Sequence, residues 1–289
     1  MHYQGAIIRP PSEADAIILQ VTTGCSHNRC TFCGAYRDRR FSIKPQATVR
    51  RDLDFAARHC SHLKTVFLAD GNVLTLPFSR LMALCSDIRD RLPQVRRISL
   101  YGNARDVLRL SLAQLRELKA AGLGRVYMGL ESGHAGVLAR IRKGATPGEM
   151  IRAGNRLRRA AIFLSVTCLL GIAGVEESPA HARATAAVLN DMHPNQIAVL
   201  TLMLLDNTEL GRQARAGTFT MPDRHGLLEE LHHLLDGLEL DRVQFQANHA
   251  SSYLPLAGRL QRDREKLMAL VRDGQAGRIS LRAEAMRGL

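Results

Sequence analysis

Six short apolar runs alternate along the chain with five amphipathic stretches, and this alternation limits the fold more than any other feature. The runs are 16–22 (AIILQVT), 64–69 (KTVFLA), 97–101 (RISLY), 125–130 (RVYMGL), 162–170 (IFLSVTCLL) and 196–200 (QIAVL). They are nearly continuous rather than alternating, as strands buried on both faces are. Residues 48–60, 77–92, 111–121, 147–161 and 179–192 instead repeat their apolar positions at helical spacing. Pro77, Pro147 and Pro179 stand where a first helical turn begins, and Gly122 follows its stretch as a helix C-cap does. Strand–helix–strand units of this kind join parallel strands by right-handed crossovers, so the fold class is α/β with helices over the sheet. Periodicity alone leaves the sheet either open and doubly wound or curled into a barrel. After Asp206 the strand pattern stops, and 224–240 and 260–287 read as helical. A composition shift near residue 210 divides a core, 1–210, from a helical C-terminal extension, 211–289.

Bulk properties exclude some classes. No run of 18 apolar residues occurs, so no membrane span is expected. The opening MHYQGAIIRPPSEADA lacks a basic start followed by an apolar stretch, so a cytoplasmic protein is expected. Net charge is +13, a balance that favours polyanions such as RNA, yet 35 of the 40 basic residues are scattered arginines. Of six cysteines, three lie within nine residues and three are scattered singly, which suits ligands in a reducing compartment better than a disulfide framework.

In parallel α/β sheets, ligands bind at the carboxyl ends of the strands. Residues 24–34 follow the first run, Asp70–Asn72 the second, Gly102–Arg105 the third, Glu131–Gly133 the fourth and Gly171–Glu177 the fifth. One rim therefore collects every unusual segment of the core.

The first of these, TGCSHNRCTFCGAYR, has the spacing C-x4-C-x2-C at Cys25, Cys30 and Cys33. Three readings fit it. Structural zinc would take His27 or a remote histidine as fourth ligand, but no second paired knuckle is present. A plant-type ferredoxin centre shares the spacing and would take Cys60, which instead shares a helical face with Leu53, Ala56 and Ala57. The third is a three-cysteine [4Fe–4S] cluster whose fourth iron stays open to a small molecule.

The loop resembles that of the radical S-adenosylmethionine (radical SAM) superfamily, where the usual spacing is C-x3-C-x-aromatic-C. Phe32 fills the aromatic position, and the first gap is one residue longer than usual. The later strand ends are similar to the superfamily's as well. FLADGNVL places Asp70, Gly71 and Asn72 where the superfamily receives the cofactor's ammonium group. VYMGLESG places Glu131 and Ser132 where ribose hydroxyls or the methionine end are held. LLGIAGVEE places Gly171, Gly174 and Glu177 against the adenine. Asn103 and Arg105 follow the third run, and Arg105, Arg142 or Lys143 would bind the cofactor carboxylate. The resemblance covers about residues 16–205 and implies a partial (β/α)6 TIM-like barrel that the extension covers. RPPSEADA, GCSHNRCTFC and NHASSYLP together resemble small bacterial members.

The resemblance implies an enzyme with a [4Fe–4S] cluster and S-adenosylmethionine as cofactors. Reduction by a flavodoxin-like or ferredoxin-like donor would cleave the cofactor and give a 5′-deoxyadenosyl radical that takes hydrogen from a small-molecule substrate. His249 and Tyr253, in the polar segment 247–263, are the residues expected to act on that substrate. An iron–sulfur electron carrier or redox sensor, and an RNA-modifying radical enzyme, are the rival classes.

Overall fold

The computed structural model describes residues 1–288. Its strands are β1 Ile17–Gln20, β2 Thr22–Thr23, β3 Ser42–Ile43, β4 Thr65–Ala69, β5 Arg97–Tyr101, β6 Leu123–Glu131, β7 Phe163–Leu170, β8 Gln196–Thr201, β9 Gln244–Ala247 and β10 Leu256–Arg259. Eight of them form one sheet in the order β1-β4-β5-β6-β7-β8-β9-β10, while β2 and β3 make a separate antiparallel pair. The pairings β1–β4, β4–β5, β5–β6, β7–β8 and β8–β9 are parallel, and β9–β10 is antiparallel. The α/β class and the six expected strands stand.

Helices connect the parallel strands as the periodicity requires. Gln46–His59 and Phe78–Arg91 pack on one another, and the first buries Leu53 and Ala56 while the second buries Leu81 and Ile88. Pro77 is the N-cap of Phe78–Arg91, and Pro147 opens Pro147–Arg159. Ser111 caps Leu112–Ala120 with a complete capping box closed by Gln114, and Gly122 follows at φ +110°.

The expectation that strands end at Asp206 is corrected. β9 and β10 extend the sheet, and the helix expected over 260–287 is confined to Arg264–Gln275. In β9, QFQA buries Phe245 and Ala247 and leaves Gln244 and Gln246 half-buried. That alternation hides a strand from a search for continuous apolar runs. β10 pairs only with β9 and carries Gly258, so its four residues give little pattern to read. Three short helices, Ala104–Arg109, Ala135–Arg140 and Glu209–Arg215, were also not legible.

The chain divides into two compact units. The first comprises 1–28, 35–128 and 156–164, and the second 29–34, 129–155 and 165–289. In the first, Phe67, Tyr101 and Tyr127 meet edge to face beside Ala16 and Ile18. Glu13, 1% exposed, accepts from Arg97 Nη2 at 2.9 and 3.1 Å and from Tyr127 Oη at 2.6 Å, which ties the N-terminal segment to β5 and β6. In the second, the helices Ser178–Met192, Arg224–Asp236 and Arg264–Gln275 pack in succession.

Glu13→Ala leaves the Arg97 guanidinium without its carboxylate and the Tyr127 hydroxyl without its acceptor. Loss of a buried charge partner is expected to destabilise the protein by about 3 kcal/mol, read from the midpoint of urea unfolding at an unchanged slope.

Candidate functional site

In the first unit, the turn after β4 backs the first cysteine. A Cβ on Gly71 would lie 2.6 Å from the Tyr36 ring and 3.0 Å from the Cys25 Cβ, so only glycine lets these groups close up. Asp70 does not present its carboxyl to a ligand. It is fully buried and accepts from Gln20 Nε2 at 2.9 Å and Tyr36 Oη at 3.1 Å. Burial raises the Asp70 pKa against these hydrogen bonds, and burial with the adjacent Asp70 charge raises that of Tyr36.

Asn72, 1% exposed, is the junction of this unit. Its Nδ2 donates to Ser26 Oγ and to Asp106 Oδ2, each at 2.7 Å, and its Oδ1 accepts from the Asn103 backbone N–H at 3.3 Å. One amide thus fastens the residue after Cys25 to the end of β5. Asn103 in turn caps the helix Ala104–Arg109 by accepting from the Asp106 N–H at 3.1 Å. Arg105 is exposed on that helix.

In the second unit, Cys30 and Cys33 sit on a turn closed by Cys33 N–H to Cys30 C=O, 3.3 Å. Thr31 fixes the turn from both sides. Its N–H donates to Ile141 C=O at 3.0 Å, and its C=O accepts from Leu210 N–H at 2.9 Å. Phe32 packs against the cluster of Val137, Leu138, Ile141, Leu169, Ile172 and Leu210, so it anchors the turn in the core. None of the six cysteines is in a disulfide.

At the end of β6, Glu131 takes φ +64° and receives Lys143 Nζ at 2.8 Å. A Cβ on Gly129 would fall 2.1 Å from Glu131 Oε1 and 2.8 Å from Lys143 Nζ, so the glycine makes room for the pair. Burial opposes the Lys143 charge, but Glu131 and the nearby Cys30 and Cys33 outweigh it and raise its pKa. Arg142 is directed elsewhere, bonding to both oxygens of Glu209 at 2.8 and 3.0 Å.

Ser132 is fully buried, 2.7 Å from His181 Nδ1, and accepts from the His134 N–H at 3.0 Å. Gly171 and Gly174 take φ +82° and +79° in a turn closed by a 3.2 Å bond between them. Hypothetical Cβ atoms there would meet Met221 at 3.2 Å and Phe219 at 3.3 Å, so the segment 219–221 lies against this turn. Glu177 is paired with Arg140, which lowers its pKa.

His249 and Tyr253 follow β9. Ser251 N–H donates to His249 Nδ1 at 3.1 Å, and Ser251 Oγ accepts from the Thr201 N–H at 3.1 Å. Burial and the Arg282 charge lower the His249 pKa. Tyr253 Oη bonds with Glu284 and Arg287, whose guanidinium lies 4.0 Å from the ring centroid.

Three thiols within nine residues are the donor chemistry of an iron–sulfur cluster. Cys25, Cys30 and Cys33 are each half-buried. Among the described residues, no three His, Cys, Asp or Glu side chains gather as one metal ion requires. Sequence reasoning missed Tyr36, Ser26, Asp106, Gly129, His181 and Glu230, which bond or make room around the expected residues.

Residues 19–185, more than half of the chain, match the family described as the Radical SAM superfamily. No curated protein matches. Among solved structures, the chain is similar to the radical S-adenosylmethionine methyltransferase TsrM of Kitasatospora setae, solved with cobalamin and a [4Fe–4S] cluster. That match has 20% identity and a TM-score of 0.57, covering 72% of this chain and 41% of TsrM. It is also similar to coproporphyrinogen III oxidase, HemN, of Escherichia coli, with 15% identity and a TM-score of 0.56 over 76% of this chain and 51% of that one. The archaeal Elp3 of Methanocaldococcus infernus matches 92% of this chain and 64% of its own, with 12% identity and a TM-score of 0.53. At these identities the likeness is one of fold. The chain spans about two fifths of TsrM and half of HemN.

Two substitutions probe the junctions. Asn72→Ala removes bonds to Ser26, Asp106 and Asn103. The expected loss is about 2–3 kcal/mol in urea unfolding, with a lower yield of iron on reconstitution. Lys143→Met leaves Glu131 buried without its cation and is expected to cost about 3 kcal/mol, largely regained in Lys143→Met/Glu131→Gln.

Proposed function

Because the chain belongs to the radical SAM superfamily, we propose that it is an enzyme that cleaves S-adenosylmethionine reductively at a [4Fe–4S] cluster held by Cys25, Cys30 and Cys33. The observation that carries this reading is that residues 19–185 contain all three cysteines and every strand end that the sequence marked. When bound, the cluster and S-adenosylmethionine supply one-electron chemistry, ending in a 5′-deoxyadenosyl radical that takes a hydrogen atom from substrate.

The chain's own residues orient and insulate. The turn at Gly71 offers backbone carbonyls to an ammonium group, since the Asp70 carboxyl is already bonded to Gln20 and Tyr36. Glu131, steadied by Lys143, accepts from vicinal hydroxyls or from the cofactor's amino end. Arg105 meets the cofactor carboxylate from the helix after β5, and Lys143 replaces Arg142 as the cation of the β6 end, because Arg142 is paired with Glu209. The turn Gly171–Gly174 supports the adenine, and Glu177 with Arg140 fixes where that turn ends. His249 acts on substrate, with its Nδ1 engaged by the Ser251 N–H.

Residues 1–210 form the catalytic core and 211–289 an extension that supplies the substrate-facing segment. A flavodoxin-like or ferredoxin-like protein delivers the electron, and the substrate is a small molecule. The reduced thiols suit the cytoplasm, and among the described residues no helix is long and apolar enough to cross a membrane. RNA as a partner would draw on the +13 charge and show as binding that weakens steeply with salt.

Anaerobic reconstitution followed by dithionite and S-adenosylmethionine is expected to release 5′-deoxyadenosine from the wild type. Cys30→Ala is expected to hold less iron and release none. A reconstituted cluster that neither binds nor cleaves S-adenosylmethionine would sink the proposal in favour of an electron carrier.

A further inference from the structure

The helix Arg224–Asp236 carries one acidic residue on its buried face, Glu230, 1% exposed among Leu227, Leu231 and Leu234. A buried carboxylate survives only where donors surround it. Glu230 has three. Oε1 accepts from the Gly171 N–H at 2.8 Å and lies 3.3 Å from His181 Nε2, and Oε2 accepts from Ser178 Oγ. The Nε2–H tautomer of His181 would turn its proton toward Glu230 and leave Nδ1 to accept from the Ser132 hydroxyl, 2.7 Å away. Ser132 Oγ in turn accepts from the His134 N–H. A second tether runs alongside: Thr185 Oγ1 donates to His181 C=O at 2.7 Å and accepts from the Gly133 N–H at 2.8 Å.

The chain of bonds starts on a helix outside the family match and ends on two strand-end turns inside it, at Gly171 and at Ser132. We infer that Glu230, acting through His181, is the positioning residue that sets the ends of β6 and β7 for the cofactor. Glu230 does not touch the ligand. It fixes the orientation of Ser132, and with it the backbone that carries Glu131, while holding Gly171 in its left-handed turn. The inference rests on the S-adenosylmethionine reading of those strand ends.

Glu230→Gln keeps the shape but turns one acceptor oxygen into a donor facing donors. Ser132→Ala removes only the last link. S-adenosylmethionine binding to the anaerobically reconstituted protein is measured by calorimetry and by the change it causes in the reduced cluster's EPR spectrum. Each variant is expected to bind on the order of ten-fold more weakly, as loss of one buried charge-assisted hydrogen bond predicts. The double variant is expected to be no weaker than the worse single one, because both cut the same chain. Iron content is expected to stay at the wild-type level. Wild-type affinity in Glu230→Gln, or losses that multiply in the double variant, would overturn the relay. A second readout stands apart from the cofactor. The ¹⁵N shifts of the His181 ring are expected to report the Nε2–H tautomer in the wild type and to change in Glu230→Gln. The opposite tautomer in the wild type overturns the relay even if no cofactor binds, whereas absent wild-type binding with the expected tautomer overturns the S-adenosylmethionine reading alone. If Glu230→Gln does not fold, Ser132→Ala with its tautomer and affinity readouts decides.

Discussion

A parallel strand buried on both faces is mostly apolar along its length, so most of its polar groups collect at its ends. Its backbone groups are used up by the neighbouring strands, and its side chains meet apolar layers above and below. β4 shows the constraint in five residues: TVFLA is buried from Val66 to Ala69, and the next three positions are Asp70, Gly71 and Asn72. β6 obeys it too, running through Val126, Met128 and Leu130 before Glu131 and Ser132. The residues that the sequence marks for chemistry lie at the ends of these apolar runs.

Placing polar groups there carries a cost that the structure meets by mutual bonding. Asp70, Asn72, Glu131, Ser132, His181 and Glu230 are all buried, and each has a hydrogen-bond or ion-pair partner within its own unit. Each bond adds only about 1 kcal/mol to stability, while an orphaned member costs up to about 3 kcal/mol. The asymmetry favours complete networks. It also marks Asp70 and Asn72 as residues whose side chains brace the strand ends.

How much of this was legible follows the same division. Strands and helices of the core were read because their apolar periods run for five residues or more, whereas β9 alternates Gln with Phe and Ala and was lost. Cys25, Cys30 and Cys33 declare themselves by spacing, as does the order of the strand-end segments. What spacing does not carry is which way a side chain is pulled. Phe32 reads as a cofactor neighbour beside Cys33 but packs into the core. Arg142 and Lys143 are adjacent in sequence, and only the fold sends one to Glu209 and the other to Glu131. Glu230 had a signal that was overlooked: it lies three residues after Leu227 and four before Leu234, on the apolar stripe of its own helix.

The Cys30–Cys33 turn is bolted to the polypeptide by Thr31's two backbone bonds and by the Phe32 side chain, none of which involves iron. In a zinc finger the ligands are scattered in the unfolded chain, so metal affinity and folding free energy are one quantity. Here two of the three thiols stand on a turn whose backbone bonds and Phe32 packing come from the polypeptide itself.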